Sequence, residues 1–453
     1  MTASPLIRGV GTRAAVAINV MSMIGIGPLI TIPLVLGSLH GPLSLVGWLL
    51  GALLALCDGL VWAELGSRYP GSGGTYGFLL RAFGEHPVAR ALAFLFVWQT
   101  IIVVPLTQAT GYIGFANYAG YLVPWISTHA FGVQAVALGA GLVTLLALYR
   151  RITTVSKVGL VLGAIAILTL LCVIVASYAH FSPHLAFAMD AHDSVWIGLR
   201  AGLGQALVIA MYDYIGYGQA ASLGDEVIAP ARTLPRAIVA AIAIVAVLYV
   251  SMQLGVLGAV DWHAFVPLAD GTLPPLGQHL ASAVVERAFG FGAASAVTLL
   301  ILVTAFASTY ANLLGASRIP YAAAVDGNFL KPFAHVHPRE RFPDVALLVM
   351  GVLALAACLF RLDQVINALT AAGVLIQSVA QIGALFAMRA RGERAPYRMW
   401  LFPLPALVAL AGWAYIFVSS GAPAMLFGVA TLALGGAVYA VAFVWRPGRV
   451  RSS

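Results

Sequence analysis

The sequence predicts an all-α polytopic membrane protein with twelve transmembrane helices, and three observations carry that expectation. The 453 residues are 61% hydrophobic and only 9% charged, whereas soluble domains run near about 25% charged. Apolar runs long enough to cross roughly 30 Å of hydrocarbon recur from end to end. The basic residues alternate between loops. With the N-terminus in the cytoplasm, 21 of the 24 Lys and Arg fall on one side, all but Arg200, Arg287 and Arg361. That bias is the positive-inside rule, and it predicts cytoplasmic N- and C-termini. The net charge of +8 is spread loop by loop, which excludes a basic nucleic-acid face, where charge gathers on one surface.

The twelve runs lie at about 14–36, 42–66, 88–119, 131–149, 157–179, 194–223, 234–259, 291–316, 344–360, 363–388, 400–419 and 423–445. Arg8 and Arg13 before the first run resemble the start of a signal peptide. The run is too long and too interrupted for that, so it reads as an uncleaved span. Its interruption is Gly25-Ile26-Gly27-Pro28. The second run carries Gly47, Gly51, Ala55 and Gly59 at four-residue steps. Such a stripe lets helix backbones approach closely, and it predicts packing against a broken helix. Gln99, Thr100, Thr107 and Gln108 in the third run, with Gln377 and Gln381 in the tenth, either line a cavity or hold helices together. The sixth run, about Ser194 to Leu223, is interrupted from Asp213 to Gly218. Cys57, Cys172 and Cys358 fall inside separate runs, which predicts apolar packing and no disulfide framework.

Two broken spans about half the chain apart are the most informative feature. Irregular backbone inside a bilayer persists only where protein or a watery cavity satisfies its freed amides and carbonyls. A matched pair in corresponding positions of two halves points to a secondary transporter's substrate site. The breaks fall in spans one and six, so the chain reads as one transporter domain over 1–453. It would hold a five-helix repeat at 14–179, an inverted five-helix repeat at 194–388, and two additional helices at 400–445.

Three segments then carry a family resemblance. Ala63-Glu64-Leu65-Gly66-Ser67-Arg68-Tyr69-Pro70 and the GSGGTYGFLLRAFG after it follow span two. Gly224-Asp225-Glu226-Val227-Ile228-Ala229-Pro230 and ARTLPRAI join spans six and seven. SRIPYAAAVDGNFLKPFAHVHP, from Ser317 to Pro338, follows span eight. Together they resemble the amino acid–polyamine–organocation (APC) transporter superfamily. The resemblance implies a LeuT-like 5+5 inverted-repeat fold and alternating access.

At the first break, Ile26, Gly27 and the residues after Pro28 should present free amides and the positive end of a half-helix to a substrate carboxylate. Pro28 suits the first turn of a new half-helix. The plainer alternative is an ordinary kinked span. Family members that carry amino acids usually place a small hydroxyl residue between the glycines, where this chain has Ile26. Its Gly27-Pro28 step looks like that of polyamine-uptake members. At the second break, Tyr212 falls at the family's aromatic gate, and an aromatic ring can stack on a cation. Carbonyls from Tyr212 to Gly216, through Tyr214 and Ile215, would face an ammonium group. Asp213 reads as a counter-charge for an amine or a proton acceptor, since a carboxylate at mid-membrane needs a partner or a task. The structural alternative is an ion pair with Arg200 or a helix-break cap.

The substrate-binding candidates are therefore Gly25, Ile26, Gly27, Pro28, Tyr212, Asp213, Tyr214, Ile215, Gly216 and Gln108. Gate candidates are Tyr212, Glu64 and Glu226, the last pairing with Arg232 or Arg68; Asp58 is weaker. No cofactor is expected beyond a coupling ion. Ser308 and Thr309 resemble the paired hydroxyls of a sodium site, Asp213 offers a proton site, and uncoupled exchange is the third option. Gly71-Ser72-Gly73-Gly74-Thr75 lacks the Lys-Ser/Thr of a phosphate loop. His180, His184, Asp190, His192 and Asp193 show no metal-ligand spacing. No HExxH or GxSxG motif marks an enzyme. The expectation is a carrier of amino acids or related organic amines in the plasma membrane of a bacterium, with polyamine or organic-cation uptake as the alternative. Its partners would be the small-molecule substrate and the lipid bilayer, with no nucleic acid and no obligatory protein partner.

Overall fold

The computed structural model describes residues 9–445 apart from 72, 85, 150–154, 190–194, 225, 269–272 and 340–341. Among the residues singled out above, Arg8, Ser72, Asp190, His192, Asp193 and Asp225 lie outside that description. The helices are α1 Thr12–Met23, α2 Gly27–Leu39, α3 Ser44–Arg68, α4 Thr75–Phe83, α5 Pro87–Leu122, α6 Gly132–Leu148, α7 Val155–Ala179 and α8 Val195–Tyr214. The second half holds α9 Pro230–Ala259, α10 Leu280–Ala316, α11 Arg318–Val325, α12 Asp344–Ala357, α13 Leu362–Gly373, α14 Gln381–Ala390, α15 Leu404–Ser419 and α16 Ala422–Tyr439. The protein is an all-α polytopic membrane protein, and a single isolated bridge, Val10 with Val227, is the nearest thing to sheet among the described residues.

Seven of the described helices or helix runs are long and apolar enough to cross a membrane, or eight with α1–α2 counted as one bent span. Shorter apolar helices occupy the remaining four predicted positions: α6, α12, α15 and the described part of α7. Length and composition therefore mark eight spans outright rather than twelve. α10 bends at Gly290, whose φ of 82° leaves helical space. The bend sits at the residue before the predicted start of the eighth span.

Polar backbone and apolar surface dictate how these helices pack. α3 lies along α9, α5 along α10, and α8 against both α2 and α3. The small-residue stripe does what its spacing predicts. A β-carbon on Gly47 would sit 3.2 Å from Ala206 Cβ, and one on Gly51 would sit 3.0 Å from Ala210 Cβ, both on α8. Gly59 faces Ile242 and Ile238 of α9 instead. Gly202 brings α8 so close to α2 that a β-carbon there would overlap the backbone carbonyl of Ser38. Gly202→Ala is therefore expected to destabilise the protein by about 1–3 kcal/mol, the usual cost of overpacking. Thermal melting of the purified protein would register it as a lowered midpoint.

The three cysteines are free, with Cys57 and Cys358 buried. No group of three or more His, Cys, Asp or Glu able to hold a metal ion occurs among the described residues.

Candidate functional site

The first break forms where the sequence places it. α1 ends at Met23, Ile24 turns out of helical space with ψ 80°, and α2 restarts at Gly27 with Pro28 in its first turn. The two half-helices meet at 52°. Leu29 makes the first backward hydrogen bond of the new helix, onto Ile26 O at 3.0 Å. The amides of Ile26 and Gly27 thus precede it, as helix starts require. The Ile26 side chain is buried and points to α5, where a β-carbon on Gly114 would meet its Cδ1 at 3.0 Å. Ile26 therefore offers the site its backbone and gives its side chain to packing.

The second break departs from expectation in extent. α8 stays helical through Tyr214, so Asp213 and Tyr214 belong to its last turn and unwinding begins at Ile215. Gly216 takes φ 135°, which only glycine adopts freely. Beyond it the chain forms a four-residue 3-10 turn, Gln219–Ser222, rather than a second half-helix running to Leu223. Tyr214 is fully buried and its hydroxyl donates to Trp48 O at 3.2 Å, which makes it a core residue.

The two broken segments lie side by side and antiparallel. At one end the chain makes a local parallel bridge between Val10 and Val227, in which Ile228 N donates to Val10 O at 2.9 Å and Gly9 N and Val10 N donate to Glu226 O at 3.0 Å. The antiparallel course of the two segments shows in the contacts beyond it. Higher up, Ala220 N donates to Asn19 Oδ1 at 2.8 Å. A β-carbon on Gly216 would fall 2.8 Å from the backbone carbonyl of Ser22. Thr31 donates to Asp213 Oδ2 at 2.5 Å, and a β-carbon on Gly27 would overlap Asp213 Oδ1. Gly202 against Ser38 completes the series. As residue numbers rise on one segment they fall on the other, and both breaks share one level.

Tyr249 of α9 fastens that level. Its buried hydroxyl lies 2.8 Å from Met23 O and 3.2 Å from Asp213 O, so one donor serves the freed carbonyls of both breaks. Tyr249, Asn19, Thr31 and Thr110 do not stand out in the sequence. The signal available was a polar group on an otherwise apolar span, where such groups rarely stand without a partner. Thr110 of α5 pairs its hydroxyl with that of Tyr212 at 2.7 Å, so the predicted gate residue is latched to the neighbouring helix.

Exposed residues adjoin the breaks. Val297, Ile301, Thr304, Ser308, Ala311 and Gly315 share one face of α10 at three- and four-residue steps. The first three are buried and the last three exposed. Ser308 Oγ lies 3.3 Å from where a β-carbon on Gly25 would stand, so this face looks onto the first break. Ile215 is 37% exposed, and Ser22 and Gln219 are exposed at the same level. On this face of α10 the exposed residues lie on the side of Arg318 and the buried ones on the other.

Other predicted residues serve elsewhere. With its amide oriented to satisfy both ends, Gln108 donates to Thr309 O at 3.0 Å and accepts from Leu313 N at 3.2 Å. It joins α5 to α10, and its polar atoms are taken up there. Thr309 is buried with its hydroxyl on Ala305 O at 3.0 Å. Glu64 forms a two-pronged pair with Arg389 of α14, at 2.7 and 2.6 Å, and accepts from Met399 N at 2.7 Å. Arg68 pairs with Glu393 at 2.9 Å, not with Glu226. In that loop, burial alone would raise the Glu393 carboxyl. Hydrogen bonds from Tyr69 and Arg68, with the charges of Arg391 and Arg68, hold it below the usual range. Glu226 joins the assembly through its backbone carbonyl. Asp58 accepts from Tyr217 Oη at 2.6 Å and Trp413 Nε1 at 3.0 Å, which ties the second break to α15. Arg200 is exposed, and Asp213 has no ion pair with it.

Comparison with known proteins decides what this arrangement belongs to. The amino acid permease family profile matches residues 10–445, nearly the whole chain. The chain belongs to the amino acid permease family, within the APC superfamily. Similar proteins include the serine/threonine exchanger SteT of Bacillus subtilis, 26% identical over 83% of this chain and 83% of its own. An uncharacterized transporter of Mycobacterium tuberculosis is 30% identical over 96% of this chain and 91% of its own. The branched-chain amino acid permease BcaP of Bacillus subtilis is 24% identical over 83% and 79%. This permease is thus a membrane transporter of the amino acid class, not a member of an enzyme family.

Proposed function

We propose that this permease is a secondary carrier of amino acids or closely related amines, working by alternating access in the plasma membrane of a bacterium with both termini cytoplasmic. The observation that supports it best is the antiparallel pairing of two broken segments whose breaks share a level and adjoin exposed residues. The amides of Ile26 and Gly27 would take the substrate carboxylate. The last-turn carbonyls of α8 and the unwound Ile215-Gly216 would take its ammonium. Tyr212, latched to Thr110, would close one side. Corresponding elements of the two halves also pack on one another, α3 on α9 and α5 on α10, which supports a two-fold between inverted five-helix repeats.

A polyamine or organic-cation carrier is the second reading. It is favoured by Asp213, a buried carboxyl beside both breaks that has no ion-pair partner among the described residues. Counterflow in proteoliposomes tests both. Vesicles preloaded with unlabelled amino acids should accumulate a labelled mixture of them transiently, and excess putrescine should compete weakly. Strong competition by putrescine with none by neutral amino acids would select the second reading, and no counterflow with either would reject a carrier.

A further inference from the structure

We propose that Asp213 is a proton-binding site, loaded in the conformation seen here, and that its carboxyl group couples transport to the proton gradient. The coupling half rests on the carrier reading above; the proton site does not.

Geometry carries the assignment. Asp213 is 2% exposed. Among the described residues Oδ2 has one partner, the Thr31 hydroxyl, and Oδ1 has none. No charged side chain among the described residues acts on the group. The titratable groups around it are Tyr212 and Tyr214 on its own helix and Tyr249 on α9. From α2 it meets Thr31. α3 brings Asp58, which is engaged with Tyr217 and Trp413. An ionised carboxylate held this way keeps a penalty of several kcal/mol that one neutral hydroxyl does not offset.

Only a very small cation fits there. Oδ1 lies against the α-carbon of Gly27, where even a β-carbon would overlap it, and Tyr212 Cε1 stands 3.3 Å from the same point. A metal ion gathers several oxygen ligands, and Oδ1 has no hydrogen-bond partner among the described residues. A proton needs no such shell. Loading breaks an O–H bond of hydronium, leaving water, and forms one O–H bond on the carboxylate. Release breaks that bond, returns the proton to water and leaves the carboxylate, with no change in electron count. Thr31 rides on α2 and Asp213 on α8, so the buried, loaded state goes with the two segments held together. Parting them would admit water and release the proton.

Infrared difference spectroscopy on the purified full chain tests the site without any substrate. The C=O stretch of a protonated carboxylic acid stands apart from the carboxylate bands. A band of that kind should be present near neutral pH, absent in Asp213→Asn and moved in frequency in Thr31→Val. Should Asp213→Asn fail to fold, the Thr31→Val shift still reports the residue. A spectrum unaltered by either change overturns the proposal. Coupling is tested with wild type in proteoliposomes, using a labelled mixture of amino acids. A gradient of one pH unit should support up to about tenfold accumulation at one proton per substrate. Counterflow that is intact but indifferent to the pH gradient, or driven by sodium instead, overturns the coupling. Loss of counterflow in wild type would instead mean that the carrier reading itself had failed.

Discussion

Gly216→Ala is expected to cut transport by roughly tenfold or more, the factor that about 1.4 kcal/mol commands, with the protein still inserted and folded. Two costs combine. The residue has φ 135°, a conformation that costs other residues of order 1–3 kcal/mol. Its new β-carbon would also lie 2.8 Å from the carbonyl carbon and oxygen of Ser22 and 2.9 Å from Met23 N. These are backbone atoms of the opposing break and cannot rotate aside as a side chain can. The strain falls on the level where the segments meet, so counterflow should suffer more than the melting midpoint. Equal counterflow in the variant and wild type would show that the unwound stretch tolerates displacement and does not shape the site.

Arg389→Met should lower stability by about 3–5 kcal/mol, because it strands a buried carboxylate. Glu64 is 1% exposed and receives both prongs of the guanidinium. Arg389 in turn stacks over the Phe402 ring at 3.8 Å. The double variant Glu64→Leu with Arg389→Met should regain part of the loss, since apolar replacement of a buried ion pair is often neutral while the amide of Met399 loses its acceptor. Thermal melting of the two variants against wild type separates these outcomes. A single variant as stable as wild type would mean that water reaches Glu64 readily, and that α3 and α14 are held by other contacts.

How far the site could be read in advance differs from residue to residue. Gly25-Ile26-Gly27-Pro28 announced its break because glycine and proline act locally, whatever surrounds them. The second break was placed too early, at Asp213. Nothing in the local sequence stops a helix at that residue, and its end depends on Gly216 meeting Ser22 from another segment. Gln108 looked like a cavity residue, since a lone amide in an apolar span signals either a ligand or a neighbouring helix. Its contact with Thr309 and Leu313 exists only once α5 and α10 lie together. Glu226 was singled out for its carboxylate, whereas its visible part in the assembly is the carbonyl that receives Gly9 and Val10.

Composition, run length and the placement of arginines determined the class: a chain this apolar must satisfy its backbone within helices, and the bilayer sorts its charges. Which polar groups face one another was decided only by tertiary packing. Thr31 and Asp213 are 182 positions apart, and Tyr249 reaches Met23 from 226 positions away. Hydrogen bonds of that range act over a few ångströms, so no local pattern of residues encodes them.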